Sequence, residues 1–168
     1  MSGRVESIFV TGQGGAAMER VDAIEALKGK GFKGDRYCAR RGYWTGIDEC
    51  QVTLIAGEDL DAITEQLGVA VKDGEHRRNL VTREIALISL AGQLFQIGEA
   101  VFGFDRPRPP CAYIASLTER RMTKALWNRG GICARVVRAG VVRPGDAIEI
   151  VDAAAPELGG GPPDWNMR

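Results

Sequence analysis

Short apolar runs separated by glycine recur along most of this chain, and they predict strands rather than long helices. Residues 4–10 read as a strand, and Gln51-Val52-Thr53-Leu54-Ile55-Ala56 as another. Further strands are expected at 85–89, 93–97 and 100–104, with Gly92 and Gly98-Glu99 marking the turns. Two more, 132–138 and 147–151, come later, the second entered through the turn Arg143-Pro144-Gly145-Asp146. Helical spacing is rarer. Gly57-Glu58-Asp59 opens a helix with acids placed to suit its dipole, Leu60, Ile63 and Leu67 give it an apolar face, and Gly68 ends it. A second helix is expected over 117–127, capped by Ser116 or Thr118 and carrying Leu117, Met122, Ala125 and Leu126. One stretch is ambiguous: Met18, Val21, Ile24 and Leu27 recur every three residues, as in a helix, but the segment is short and Lys28-Gly29-Lys30-Gly31 follows at once. The sum is a mostly β fold with a few helices, a closed or nearly closed β-barrel.

The 168 residues suit one domain with a full core. We expect a single domain over residues 1–152. The remainder, 153–168, holds Ala153-Ala154-Ala155-Pro156 and Gly159-Gly160-Gly161-Pro162-Pro163 and is expected to be a loose tail. Lys and Arg total 22, as do Asp and Glu, so no global field draws the protein to nucleic acid or to a membrane surface. No apolar run approaches the ~20 residues of a spanning helix. The N-terminus meets Arg4 and Glu6 before any apolar stretch can form, which does not read as a signal peptide. A cytoplasmic location is expected, and there disulfides are rare.

Candidate chemistry centres on Arg106-Pro107-Arg108-Pro109-Pro110-Cys111. Three prolines stiffen the backbone before the thiol, and two guanidinium groups flank it. Nearby positive charge favours thiolate, the form that attacks electrophiles, carries sulfur and binds soft metals. The plainer reading is a cysteine that packs as a small hydrophobe, which is how we read Cys38, Cys50 and Cys133. No pair of the four cysteines has C-x-x-C spacing, which argues against a zinc ribbon or an Fe–S motif. His76 is the only histidine, so one chain cannot build a His₃ or His₂Glu zinc site. It reads as a loop residue.

Three further segments carry polar groups suited to a ligand. Lys28-Gly29-Lys30-Gly31-Phe32-Lys33-Gly34-Asp35-Arg36 combines glycines with cations, as a phosphate loop does, or is a solvated basic hairpin. It lacks the Gly-Lys-Ser/Thr ending of a Walker motif. Phe32 and Tyr37 are expected to anchor it in the core. In Glu75-His76-Arg77-Arg78-Asn79-Leu80, the arginines suit phosphate or carboxylate and Asn79 suits a heterocycle edge, unless they are surface groups. In Asn128-Arg129-Gly130-Gly131-Ile132-Cys133-Ala134-Arg135, Arg135 would need an anionic partner on an inner barrel face, or else points outward.

Taken in order, these pieces resemble a MOSC domain, the family named after the C-terminal domain of molybdenum cofactor sulfurases. The resemblance rests on Gly34-Asp35-Arg36, Val52-Thr53-Leu54-Ile55 with Glu58, Arg77-Arg78-Asn79-Leu80-Val81-Thr82, Ile97-Gly98-Glu99-Ala100, Pro110-Cys111, and Gly130-Gly131 through Gly145-Asp146, and spans residues 4–151. It implies a β-barrel and turns the ambiguous 18–27 segment into strand. It implies that Cys111 is the family's cysteine, a thiolate that ligates molybdenum of a molybdopterin cofactor or carries sulfur. Arg77, Arg78 and Asn79 would contact the pterin or its phosphate, with Arg36 and Arg135 as further extrapolations. Many relatives carry histidine where this chain has Tyr37, so no role of that histidine transfers. No pyridoxal phosphate is expected, since the desulfurase domain of cofactor sulfurases has no counterpart here.

Three functions compete. The first is a molybdenum-cofactor reductase of N-hydroxylated compounds, fed by an electron-donor protein. The second is a sulfur carrier that takes a persulfide on Cys111 from a cysteine desulfurase, for metal–sulfur cluster or cofactor assembly. The third is a passive binder of an anionic small molecule.

Overall fold

The computed structural model describes residues 3–47 and 49–152. The expected tail at 153–168 lies outside the described residues. Among the described residues there are eleven strands: β1 (Gly3–Val10), β2 (Glu19–Val21), β3 (Ile24–Leu27), β4 (Gly31–Phe32), β5 (Val52–Ala56), β6 (Leu80–Arg83), β7 (Leu94–Ile97), β8 (Ala100–Pro107), β9 (Ile132–Arg138), β10 (Gly140–Val142) and β11 (Ala147–Val151). Three helices join them: α1 (Gly57–Leu67), α2 (Ala112–Leu117) and α3 (Met122–Ala125).

Seven strands close a barrel in the order β1-β11-β7-β8-β9-β5-β6, and β6 returns to β1. Closure comes from Gly3 opposite Ile148 and Arg4 opposite Ala147. Every pairing in the barrel is antiparallel except β5–β6, which α1 connects as a crossover. A closed barrel removes the exposed edges that a sheet of this size would otherwise carry. The β10-β3-β4 ribbon packs Ala26, Phe32 and Val142 into the same core.

Strand alternation sorts the apolar residues into two layers. Val52 and Leu54 of β5, Leu80 of β6, and Ile132, Ala134 and Val136 of β9 fill the barrel with Phe95 and Phe102. Ile55, Val81 and Phe9 point outward and meet Leu60 and Ile63 of α1 and Ile114, Met122, Ala125 and Leu126 of the α2–α3 region. The helices therefore cover one outer flank. Their covering places the loops that precede α2 and β6 beside one another.

Four expectations need correction or refinement. Residues 85–89 are not a strand. Glu84 takes a left-handed φ of 63° that ends β6, and Leu87–Leu90 form a 3-10 turn. Leu87 and Leu90 eclipse there and are buried, while Ile88 is exposed. The helix at 117–127 is two short helices. Thr118 leaves helical space at φ −129°, and the hydroxyls of Ser116 and Thr118 donate back to the carbonyls of Tyr113 and Ile114 instead of capping α3. In α1, Leu67 is exposed, and Gly68 ends the helix at φ 62°. Segment 18–27 is strand, as the resemblance implied. A bend at Asp22 separates β2 from β3, so Met18 packs on the outer layer and Val21 and Ile24 on the barrel core. That break imitates a three-residue period.

Candidate functional site

Cys111 stands at the end of an arm that β8 and β9 hold rigid. β8 shifts register between Phe104 and Arg106, a bulge that bends the strand before it runs out. Pro107 lies opposite Ile132, and the N–H of Arg108 donates to the carbonyl of Gly131 at 2.8 Å. The arm lies so close to the Gly130-Gly131 turn that a Cβ on Gly130 would fall 2.1 Å from the Arg108 carbonyl oxygen. After Pro109 and Pro110 the backbone of Cys111 is extended, φ −134°. Its carbonyl accepts from the N–H of Ile114 at 3.2 Å and from the Thr123 hydroxyl at 2.8 Å. The residue is half-buried and faces a cleft.

Arginines form the opposite wall. Asp35 is fully buried and organises the first of them: its carboxylate accepts from Thr11 N at 3.1 Å, Arg36 Nη1 at 3.1 Å and Tyr37 N at 3.2 Å. Arg36 Nη2 donates to the Tyr37 hydroxyl and to the Arg77 carbonyl, each at 3.0 Å. Arg77 itself holds φ 61°, a left-handed conformation that a β-carbon makes costly. Its Nη1 donates to Ala16 O at 2.8 Å. Arg78 Nε donates to Gly130 O at 2.7 Å, which ties this wall to the cysteine arm.

Arg77 and Arg78 are 8% and 5% exposed, and among the described residues neither pairs with a carboxylate. Burial pushes both guanidinium pKa values down, and neighbouring Arg36 and Arg108 respectively add to the effect. Two buried cations satisfied only by neutral carbonyls make a strong anion trap.

The rest of the cleft is aromatic and small. Tyr43 stacks on Tyr113 with ring centroids 3.8 Å apart, and Trp44 meets Tyr43 edge-on. Gly14 and Gly15 complete the rim. The cleft is open on one side, and its empty space, open solvent included, is about 490 Å³.

Of the residues singled out in the sequence, Cys111, Arg36, Arg77 and Arg78 converge here, joined by Arg108. Asn79 does not line the cleft. Its side chain accepts from Thr53 N at 3.0 Å and donates to Phe9 O at 3.1 Å, pinning β6 to β5 and β1. Arg135 does not line it either. Alternation turns Cys133 and Arg135 outward from the barrel, and Arg135 Nη2 lies 3.9 Å from Asp105. The lysines of the Lys28–Lys33 hairpin are exposed and do not line the cleft, with Lys33 3.8 Å from Glu25. Tyr37 is a cleft wall rather than a core anchor, whereas Phe32 is buried. His76 lies in a turn, as expected of a loop residue, but it is completely buried there, and Phe9 meets its ring edge-on. Sequence reasoning passed over Tyr43, Trp44 and Tyr113. Their one signal was an adjacent aromatic pair in a polar, glycine-flanked loop, where a core has no use for it.

Among the described residues, no group of three or more His, Cys, Asp or Glu side chains is placed to hold a metal. A metal here would rely on Cys111 and on ligands that a cofactor brings. No helix among the described residues is long and apolar enough to cross a membrane.

Comparison with known proteins agrees with this architecture. The family model described as "MOSC domain" matches residues 42–149. The YuaD protein of Bacillus subtilis superposes with a TM-score of 0.74 at 18% identity, covering 89% of this chain and 96% of that one. YiiM from Geobacillus stearothermophilus gives 0.69 at 18% identity, with 91% and 77% covered. YiiM from Escherichia coli gives 0.64 at 20% identity, with 89% and 70% covered. No curated protein matches significantly.

Proposed function

The chain belongs to the MOSC domain family, and from that membership we propose that it binds a molybdenum–pterin cofactor and reduces N-hydroxylated compounds. The observation that carries this reading is the pair of buried arginines, Arg77 and Arg78, without carboxylate partners beside Cys111. Their chemistry fits a phosphate-bearing cofactor, because a guanidinium fork matches a phosphate oxygen pair and buried cations need an anion. A thiolate fits molybdenum as a soft ligand. When bound, the metal would supply the two-electron redox step; the protein binds and orients it.

The chain's own residues divide that work. Cys111 holds the metal, on an arm that cannot swing. Arg77, Arg78 and Arg108 hold the anionic part of the cofactor. Arg36, kept in place by Asp35, braces the Arg77 carbonyl. The Tyr43–Tyr113 stack walls the side from which a small-molecule substrate enters. Electrons come from a donor protein, and the cytoplasm is the compartment this assignment suits.

The test is the molybdenum and oxidised-pterin content of protein made in a host that synthesises the cofactor, with Cys111→Ser alongside. Near-stoichiometric metal and pterin, with metal lost from the variant, is the expected result. It would be followed by hydroxylamine reduction with a competent electron donor. Absence of metal and pterin from both proteins overturns the reading. Gain of sulfur at Cys111 after incubation with a cysteine desulfurase would then identify a persulfide carrier.

A further inference from the structure

His76 is a buried titratable group that the proposed function leaves unused. It is the chain's single histidine, and it is fully buried. Its ring meets Phe9 edge-on, with centroids 5.0 Å apart. Nδ1 accepts from the backbone N–H of Arg78 at 2.9 Å. Nε2 has no hydrogen-bond partner among the described residues. A phenyl or aliphatic side chain would fill the space without an unpaired N–H, so packing alone does not account for an imidazole here. The ring atom with a task is Nδ1.

The bond it accepts closes a side-chain-to-backbone turn around Arg77, of the kind that Asn and Asp make to the N–H two residues on. Residue 77 is thereby held from both sides. Its own N–H donates to the Gly74 carbonyl at 2.9 Å, and the next N–H along the chain is the one that His76 holds. Between those bonds Arg77 keeps its left-handed φ of 61°, which a residue with a β-carbon resists. The consequence lies in where two side chains go. In an extended segment neighbouring side chains point to opposite faces, and only one of them could line the cleft. Here both do. Arg77 Nη1 reaches Ala16 O beside the glycine rim, and Arg78 Nε reaches Gly130 O beside the Cys111 arm.

We propose that His76 is the positioning residue of this cleft's anion site: Nδ1, as a neutral acceptor, fixes the turn that lets Arg77 and Arg78 face one anion together. The inference rests on the anion site of the proposed function and involves none of its redox chemistry. The ring contributes no charge, because burial and then Arg78, Arg20, Arg36 and Arg77 oppose an imidazolium. Packing and positioning predict opposite orders for two variants. A phenyl ring in this place keeps the contact with Phe9 but leaves the Arg78 N–H unpaired. An asparagine loses the ring contact, yet its amide oxygen accepts from an N–H two residues on.

The test uses the full, untagged chain without cofactor, and sulfate as the probe. Isothermal titration at low ionic strength gives the sulfate affinity of the parent, His76→Asn and His76→Phe, each checked for native melting. The expected result is His76→Asn within about threefold of the parent and His76→Phe weaker by about tenfold or more. Equal affinity in the parent and His76→Phe would overturn the inference and leave the anion site standing. So would His76→Asn binding more weakly than His76→Phe, the order that packing predicts. A parent that takes up no sulfate would remove the anion site itself, and the inference with it. One measurement needs no variant to fold. The lone histidine gives a single set of imidazole signals in a proton–nitrogen correlation spectrum. Near about pH 6, where an ordinary histidine is largely protonated, these should show a neutral ring with its proton on Nε2. A proton on Nδ1 would overturn the inference.

Discussion

The backbone N–H of Arg78 donates to Nδ1 of His76 at 2.9 Å. That bond assigns the proton of the neutral imidazole to Nε2, which is buried without a hydrogen-bond partner. Protonating His76 would cost this bond and place a third cation beneath Arg77 and Arg78. The ring pKa is held down to about 3, by burial first and then by Arg78, Arg20, Arg36 and Arg77.

A pH dependence of stability follows from that depression. Unfolded chains bind the histidine proton near the ordinary value of 6.5, while the native state refuses it down to about 3. Stability from this group is therefore fully present above pH 6.5 and falls as pH drops through that window, at up to about 1.4 kcal/mol per pH unit. Asp61 adds a second loss only lower: bonds from Arg83 and Lys72 hold its pKa at about 2, below the ordinary 3.8. Denaturant melts between pH 6.5 and 4 should thus slope steeply in the native protein. They should flatten in His76→Asn, whose amide oxygen can still accept from Arg78. Equal slopes in both proteins would contradict the assignment.

Arg77→Gly should separate stability from binding. Glycine relieves a left-handed φ of 61°, worth about 1 kcal/mol, and removes a buried, uncompensated charge. The lost bond to Ala16 O costs about 1 kcal/mol in return. The cofactor-free variant should melt no lower than the parent. Its retention of pterin should nevertheless fall by roughly ten- to a hundredfold, the worth of one charge-assisted hydrogen bond. A variant that binds normally would remove Arg77 from the anion site.

Gly130→Ala should be much more damaging than Gly46→Ala. The new Cβ would lie 2.1 Å from Arg108 O, a backbone atom that the Gly131 pairing prevents from yielding, while nothing lies within 4 Å of the Gly46 position. Gly46 holds φ +81°, so alanine there costs about 1 kcal/mol in strain alone. At Gly130 we expect more than about 2 kcal/mol by chemical denaturation and, under the proposed function, lower molybdenum content. Similar costs at the two glycines would mean that the arm is not held as described.

Much of the barrel is legible in the sequence because short apolar runs bounded by glycine mark its strands: β1, β5, β9 and β11 are found within a residue of where those runs predict them. The failures are places where tertiary contacts overrule local pattern. Ile85, Leu87 and Leu90 are apolar because they pack on the core from a turn, which alternation cannot distinguish from a strand. Cys111, Arg77 and Arg78 stand out in the sequence by residue type, and the fold brings them to one cleft. Asn79 carries the same kind of polar signal, yet its task is to knit β5, β6 and β1 together. Arg135 also reads as a ligand group, but only strand pairing shows which face it takes. Tyr113 lies in a helix far along the chain from Tyr43, so no local pattern could reveal that their rings stack.

That stack offers the most direct test of how the cleft is gated. Tyr43 is 56% exposed, yet it lies against Tyr113 at 3.8 Å with an angle of 15° between the rings. An aromatic pair of this kind is worth about 1 kcal/mol beyond area burial, and a ring left half in water contributes less than a core ring. Tyr43→Ala should therefore lower stability by no more than about 1 kcal/mol. Tyr43 and Cys111 line the same cleft, so removing the ring should open the approach to the thiol. Alkylation of Cys111 by iodoacetamide should accelerate several-fold in Tyr43→Ala, while that of Cys38, which does not line the cleft, stays constant. An unchanged Cys111 rate would mean that the stacked rings do not control access. A parallel rise at Cys38 would mean that the whole loop had loosened rather than the cleft alone.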